Sequence, residues 1–310
     1  MEGLTNSQTI RYKLAYGAIR CLSVLPLDVL FLMADMIYPF VKTFYRRKVV
    51  RKNLTEAFPN KSKEEIGKIE SNFYHHFCDT FAEIVKQFSF SREQMMEHMQ
   101  MKGLKPIQKG FDDGKFLLIA YLGHYGNWEW IASLQYWFDD VLCSQVYHPL
   151  YNKVADRLFL NLREQYGGEC IPMKKVARRL VQMRDEKLKV VCGMISDQLP
   201  KWNSIHHFTQ FLNHETAVFT GSEQLGKKFD AMFYYGRVTC VKRGYYVCEW
   251  IPITHSPKEF CDYELTDRYM HLLEKDIEQH PELWLWTHKR WRRTKEEWLN
   301  RQNQAENEGN

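Results

Sequence analysis

Apolar positions follow three successive patterns along the chain. Residues 14 to 41 (LAYGAIRCLSVLPLDVLFLMADMIYPFV) form the most apolar stretch, interrupted by Arg20, Asp28 and Asp35. Pro26 and Pro39 lie inside it and are expected to break or kink a helix. A membrane span needs about 20 predominantly apolar residues. The stretch therefore reads as a span, as two broken helices, or as a helix lying in the interface. A buried N-terminal helix of a soluble domain would carry the same pattern. The next eleven residues, KTFYRRKVVRK, hold six Lys/Arg and no acid. A basic flank of this kind marks the cytoplasmic side and attracts anionic headgroups.

Ser62-Lys-Glu-Glu65 is a capping-box pattern. Behind it, Ile66, Ile69, Phe73, Phe77, Phe81, Ile84 and Phe88 recur every three or four residues, which predicts an amphipathic helix facing a core. His75 and His76 beside that stripe read as structural. From Phe116 onward strands and helices alternate. FLLIAY (116 to 121), VLCSQVY (141 to 147) and KVVCGMI (189 to 195) read as strands, with FDAMFYYGRV and YYVCEWIPI as neighbouring strands later on. Helices are expected over 127–138, 152–166, 176–183 and 265–279. This pattern predicts an α/β fold with a mixed, mostly parallel sheet flanked by helices. The expected organisation is a membrane-associating segment over residues 1–52, one catalytic domain over 53–300, and a disordered tail over 301–310.

Composition narrows the class. The chain has 310 residues, 45% apolar and 26% charged, as a globular protein with a substantial core requires. Its formal charge of +5 is mild, and the basic residues are clustered rather than spread. Eight cysteines are scattered without a C-x-x-C pair, so they read as free thiols in a reducing compartment. The run LWLWTHKRWRRTKEEW (283 to 298) interleaves Trp with five Lys/Arg. Aromatic and basic residues together fit a membrane interface, or else a solvated helix end. No motif supports a nucleic-acid partner.

Candidate chemistry concentrates in LGHYGNWEW, residues 122 to 130, just past the strand at 116–121. His124 and Glu129 are five positions apart, so in one regular helix they would point about 140° apart and could not meet. They can meet if His124 lies in the loop and Glu129 in the first turns of the next helix, with Gly123 and Gly126 permitting a tight connection. A carboxylate on one imidazole nitrogen leaves the other competent as a general base. Backbone N–H groups near Gly126 and Asn127 would face the oxyanion. The competing reading is a capped turn with a surface histidine. No G-x-S-x-G elbow or paired nucleophilic cysteine is present, which points to direct transfer without a covalent intermediate. One His and one Glu do not make a metal site, and no cofactor is expected.

Together with the blocks flanking it along the chain, the stretch resembles the H-x4-D/E acyltransferases. The likeness is strongest to the late acyltransferases of lipid A biosynthesis, the lauroyl/myristoyl transferase family of Gram-negative bacteria. It rests on RRKVVRKNLTEAFP (46 to 59), GHYGNWE (123 to 129), VYHPLYNKVADRLFLNLREQYGGECIP (146 to 172), ISDQ (195 to 198), FLNHETAVFTGSEQLGKKF (211 to 229) and HPELWLWTHKRWR (280 to 292) in that order. The resemblance implies a glycerolipid-acyltransferase-like fold at the cytoplasmic face of the cell inner membrane. It further implies transfer of a fatty acyl chain from an acyl-carrier-protein or coenzyme A thioester to a hydroxyl of a glycolipid acceptor, a lipid A precursor, among membrane lipids. His124 would be the general base and Glu129 its partner. Candidate substrate-binding residues are Asn127, Asn152, Arg157, Arg163, Asp197 and Gln198. His148 stands where many relatives carry Arg, and an imidazole does not reproduce a guanidinium's bidentate grip. A lysophospholipid or aminolipid acceptor, or a thioesterase using water, are the alternatives.

Overall fold

The computed structural model describes residues 4–308. The N-terminal apolar stretch forms two helices, α1 (Asn6–Ser23) and α2 (Leu27–Phe44), meeting at 109° beside Pro26. Among the described residues, no single helix is long and apolar enough to cross a membrane. α2 buries Leu30, Phe31 and Ala34 against Cys78 and Ala82, and leaves Leu32, Met36, Ile37, Phe40 and Phe44 exposed. Next come α3 (Arg47–Ala57) and the long α4 (Lys63–Gln87). The Ser62–Glu65 capping box forms as expected, Ser62 N–H donating to Glu65 Oε2 at 2.7 Å. The basic flank is less free than its sequence implies. Arg47 and Arg51 both bind the fully buried Glu70, and Arg46 donates to the Thr287 carbonyl.

After α5 (Arg92–His98) the chain lays down β1 (Met99–Lys102), α6 (Leu104–Asp112) and β2 (Leu117–Leu122). It continues through β3 (Val141–Tyr147), α7 (Lys153–Glu164), β4 (Glu169–Pro172), α8 (Val176–Asp185) and β5 (Lys189–Ile195). A small hairpin of β6 (Phe208–Phe211) and β7 (His214–Ala217) precedes α9 (Gly221–Lys228). The antiparallel pair β8 (Met232–Lys242) and β9 (Tyr245–Thr254), then α10 (Glu264–Gln279), complete the main layers. A last helix, α11 (Lys295–Glu308), runs through most of the segment expected to be an unstructured tail, and residues 309 and 310 lie outside the described residues.

Seven strands form one sheet in the order β1-β9-β8-β2-β5-β3-β4, parallel at every pairing except β8 with β9. β2 is buried at all six positions, as a central strand covered by helices on both faces must be. Tyr121 on β2 stacks on Tyr269 of α10 with centroids 4.4 Å apart, and Tyr269 OH donates to the Leu122 carbonyl. From β2 the chain crosses past β5 to β3, and from β5 it crosses past β2 to β8. Oppositely directed connections from adjacent parallel strands open a crevice at their carboxyl ends. All eight cysteines are free thiols, five of them buried.

Candidate active site

Leu122 of β2 and Ile195 of β5 are register partners, so the loops after these two strands start side by side. One carries His124 and the other Asp197. His124 Nδ1 lies 2.7 Å from Asp197 Oδ1, and the backbone N–H of His124 donates to Oδ2 at 2.9 Å. The indole N–H of Trp284 donates to the same Oδ2 at 2.8 Å. Asp197 is 1% exposed. Burial alone would raise its carboxyl pKa, but the His124 charge and the hydrogen bonds from His124 and Trp284 outweigh burial and hold it below the usual carboxylate value. A carboxylate on Nδ1 fixes the imidazole proton there and makes Nε2 the acceptor nitrogen. Gln198 Nε2 faces that atom at 3.3 Å, its amide N–H pointing at the lone pair.

The loop is held from the C-terminal side. Tyr125 forms an antiparallel bridge with Trp284, Gly126 N–H donates to the Leu283 carbonyl at 2.9 Å, and Leu285 N–H donates to the His124 carbonyl at 3.0 Å. Gly126 has φ +59, and a Cβ there would meet Val238 Cγ1 at 2.6 Å, so both conformation and space require glycine. Asn53 on α3 donates to the carbonyls of Trp286 and His288, fixing the segment that presents Trp284.

Glu129 is not on the histidine. It accepts from Arg163 Nε at 2.8 Å and Nη2 at 2.6 Å, a bidentate pair joining the loop to α7, and from the Trp128 indole at 3.2 Å. The reason is local. Asn127 Oδ1 accepts from Trp130 N–H and turns the chain into a 3₁₀ segment, Trp130–Trp137, in place of the α-helix expected over 127–138. That turn aims Glu129 at α7. Its link to His124 runs through Trp128, whose ring packs edge-on to the imidazole with centroids 5.3 Å apart.

Other candidates also fall elsewhere. Asn127 is fully buried, its amide donating to Glu83 Oε2 at 2.8 Å, so it braces the loop. Asn152 caps α7 by accepting from Val154 and Ala155 N–H. Arg157 is half-buried on α7, its Nε without a hydrogen-bond partner. Arg163 is committed to Glu129. His148 is exposed on the loop after β3, with Nδ1 3.0 Å from the Pro149 carbonyl. Gly126 N–H, expected to serve an oxyanion, is spent on Leu283. Trp284 and Trp286 are buried, at 3% and 0% exposure, so these rings are not interfacial anchors. Trp284 is the site residue that sequence reasoning missed, because only the bridge to Tyr125 brings it beside Asp197.

The fold and site define an α/β enzyme with a carboxylate-oriented histidine at the crevice of a mostly parallel sheet. The family model for bacterial lipid A biosynthesis acyltransferases matches residues 2–293, and the chain belongs to that family. It is therefore an acyltransferase of lipid A synthesis, and the family points to membrane association. No curated protein sequence matches the chain.

Proposed function

We propose that the protein transfers a fatty acyl chain from a carrier thioester to a hydroxyl of a lipid A precursor, with His124 as general base and Asp197 as the carboxylate that orients it. The observation that carries this reading is the 2.7 Å contact between His124 Nδ1 and Asp197 Oδ1, which leaves Nε2 as the acceptor nitrogen. The acceptor hydroxyl donates to Nε2 and passes its proton there as its oxygen attacks the thioester carbonyl. The tetrahedral intermediate collapses, the C–S bond breaks, and the imidazolium returns the proton to the departing thiolate. Asp197 stabilises the imidazolium between those steps. The Gln198 amide, which sits 3.3 Å from Nε2, gives up that place to the acceptor hydroxyl and donates instead to the oxygen that gains charge. Glu129 supports the site indirectly, holding Arg163 and the Trp128 ring. Acyl-carrier protein is the donor carrier this reading favours, on the family resemblance.

The apolar face of α2, with exposed Ile10 and Leu14 on α1, would lie on the inner-membrane surface at its cytoplasmic side rather than cross it. Lys48 and Lys52 remain exposed beside that face for anionic headgroups.

The test incubates purified protein with dodecanoyl and tetradecanoyl thioesters of acyl-carrier protein, with and without a lipid A precursor, and monitors products by mass spectrometry. The reading predicts a product heavier by one acyl chain that disappears in a folded His124→Ala variant. Thioester hydrolysis without acceptor acylation would instead indicate a thioesterase, and full transfer by His124→Ala would refute the base assignment.

A further inference from the structure

Two guanidiniums share one indole beside the crevice. Arg293 lies over the Trp202 ring, 5.3 Å from its centroid, and Arg301 lies over the same ring at 4.6 Å. Among the described residues neither meets a carboxylate. Of the acids on β7 and α11, Glu215 pairs with Lys295 at 2.6 Å and Glu297 accepts from Thr294 N–H. Arginines of structural use in this fold do meet carboxylates, as Arg163 meets Glu129, Arg179 Glu169 and Arg237 Asp276. Burial first, then the like charges of Arg292 and Arg301, holds Arg293 below the usual arginine value. Cations gathered in this way repel one another and attract an anion.

The pair is tied to the catalytic residues by contacts. Trp284 joins the C-terminal segment to Asp197, and Leu285 N–H donates to the His124 carbonyl. The same two segments meet again where Arg293 donates to the Pro200 carbonyl, two residues beyond Gln198. Two extended residues span at most about 7 Å, so one acceptor molecule can reach both places. Arg301 arrives on α11, the helix that replaces most of the expected tail. Trp298 seats that helix edge-on against Phe208 with centroids 5.8 Å apart, in a cluster with Leu199, Ile205 and Ala217. Lys295 fastens its start to Glu215 on β7.

We propose that Arg293 and Arg301, held on the Trp202 ring, bind a phosphate monoester of the glycolipid acceptor while its hydroxyl lies at His124. The inference deepens the acyl-transfer reading and rests on it. A guanidinium held on an aromatic face is oriented by the ring and keeps its forked donors for an anion. Two such forks converging on one ring suit a compact dianion with several acceptor oxygens, which a phosphate monoester is. An extended acidic protein face would call for a row of cations instead. The site has no contact with His124 Nε2, so it acts on acceptor binding and not on the proton transfer.

The experiment measures acceptor Kd by isothermal titration, together with kcat and KM, in neutral detergent micelles. It uses the full chain, Arg301→Gln, Arg301→Lys and Trp202→Leu, each checked by circular dichroism. The acceptor is a phosphorylated lipid A precursor or the same glycolipid after phosphatase treatment, and the donor is the dodecanoyl thioester of acyl-carrier protein. Arg301→Gln should raise acceptor Kd and KM about fivefold to tenfold, the loss of one charge-assisted contact, with kcat and donor KM unchanged. Arg301→Lys should recover part of the loss, and Trp202→Leu should resemble Arg301→Gln. On the dephosphorylated acceptor the parent and Arg301→Gln should bind equally. Unchanged acceptor Kd and KM overturn the proposal. So does a rise in donor KM alone, which assigns the pair to the carrier, or an equal loss on both acceptors, which makes it structural. Phosphatidylglycerol that displaces the precursor from the parent but not from Arg301→Gln overturns it in favour of a membrane headgroup. The titration needs no turnover. A phosphate-dependent loss of binding in a protein that acylates no acceptor sinks the transfer reading, whereas transfer with unaltered Kd sinks only the arginine pair.

Discussion

Glu83 on α4 shows how one buried acid holds the catalytic loop. It accepts from Asn127 Nδ2 at 2.8 Å and from Tyr246 OH at 2.8 Å, joining α4, the loop and β9. Burial raises its pKa from 4.5 to about 8. The folded protein therefore keeps a proton that the unfolded chain releases as pH rises from about 4.5, and stability falls across that window until the folded group also ionises near 8. Glu83→Gln copies the protonated acid, donating to Tyr246 and accepting from Asn127. Thermal melts should show the variant more stable than the parent at pH 8 by more than about 1.4 kcal/mol, the worth of one pKa unit. Equal pH slopes for the two proteins would contradict it. Asn127 was legible in the sequence as important, but not as a brace. Its partner Glu83 sits 44 residues earlier, and no spacing rule links them.

Among the elements, those with strong periodicity were readable. β2, β3, β5, β8 and β9 match the apolar runs, and the α4 capping box is where the sequence puts it, whereas of the expected stripe Ile66 and Phe73 are buried and Phe81 is exposed. β1 and β4 are four residues long and lie at the sheet edges, too short for a pattern to stand out. The N-terminal stretch left a span and an interfacial pair both open, and the turn at Pro26 yields two helices. On α2 the consequence is measurable. Each large apolar side chain moved from water into lipid contributes up to about 1.5–3 kcal/mol, and Met36 and Phe40 are both 66% exposed. Met36→Glu with Phe40→Glu should lower binding to vesicles containing anionic phosphatidylglycerol at least tenfold in a flotation assay, with the melting temperature little changed. Unaltered flotation would show that α2 is not the docking face.

Across the whole molecule, sheet order decides which acid meets His124. Local spacing offered Glu129, five residues on. The parallel strands β2 and β5, whose outgoing connections run in opposite directions, instead deliver Asp197, 73 residues on, because these two adjacent strands end together. Asp197 and Gln198 were legible as candidate substrate-binding residues, but their contact with His124 was not. It depends on strand pairing and on a C-terminal segment that returns to close the loop. The most direct measurement compares kcat for Asp197→Asn and Glu129→Gln, both confirmed folded by circular dichroism, in the acyl-carrier-protein assay. Asp197→Asn should lose about 10²–10⁴-fold in kcat, since it removes the orienting carboxylate, and Glu129→Gln should lose clearly less. A larger loss for Glu129→Gln, with Asp197→Asn near the parent rate, would contradict the assignment.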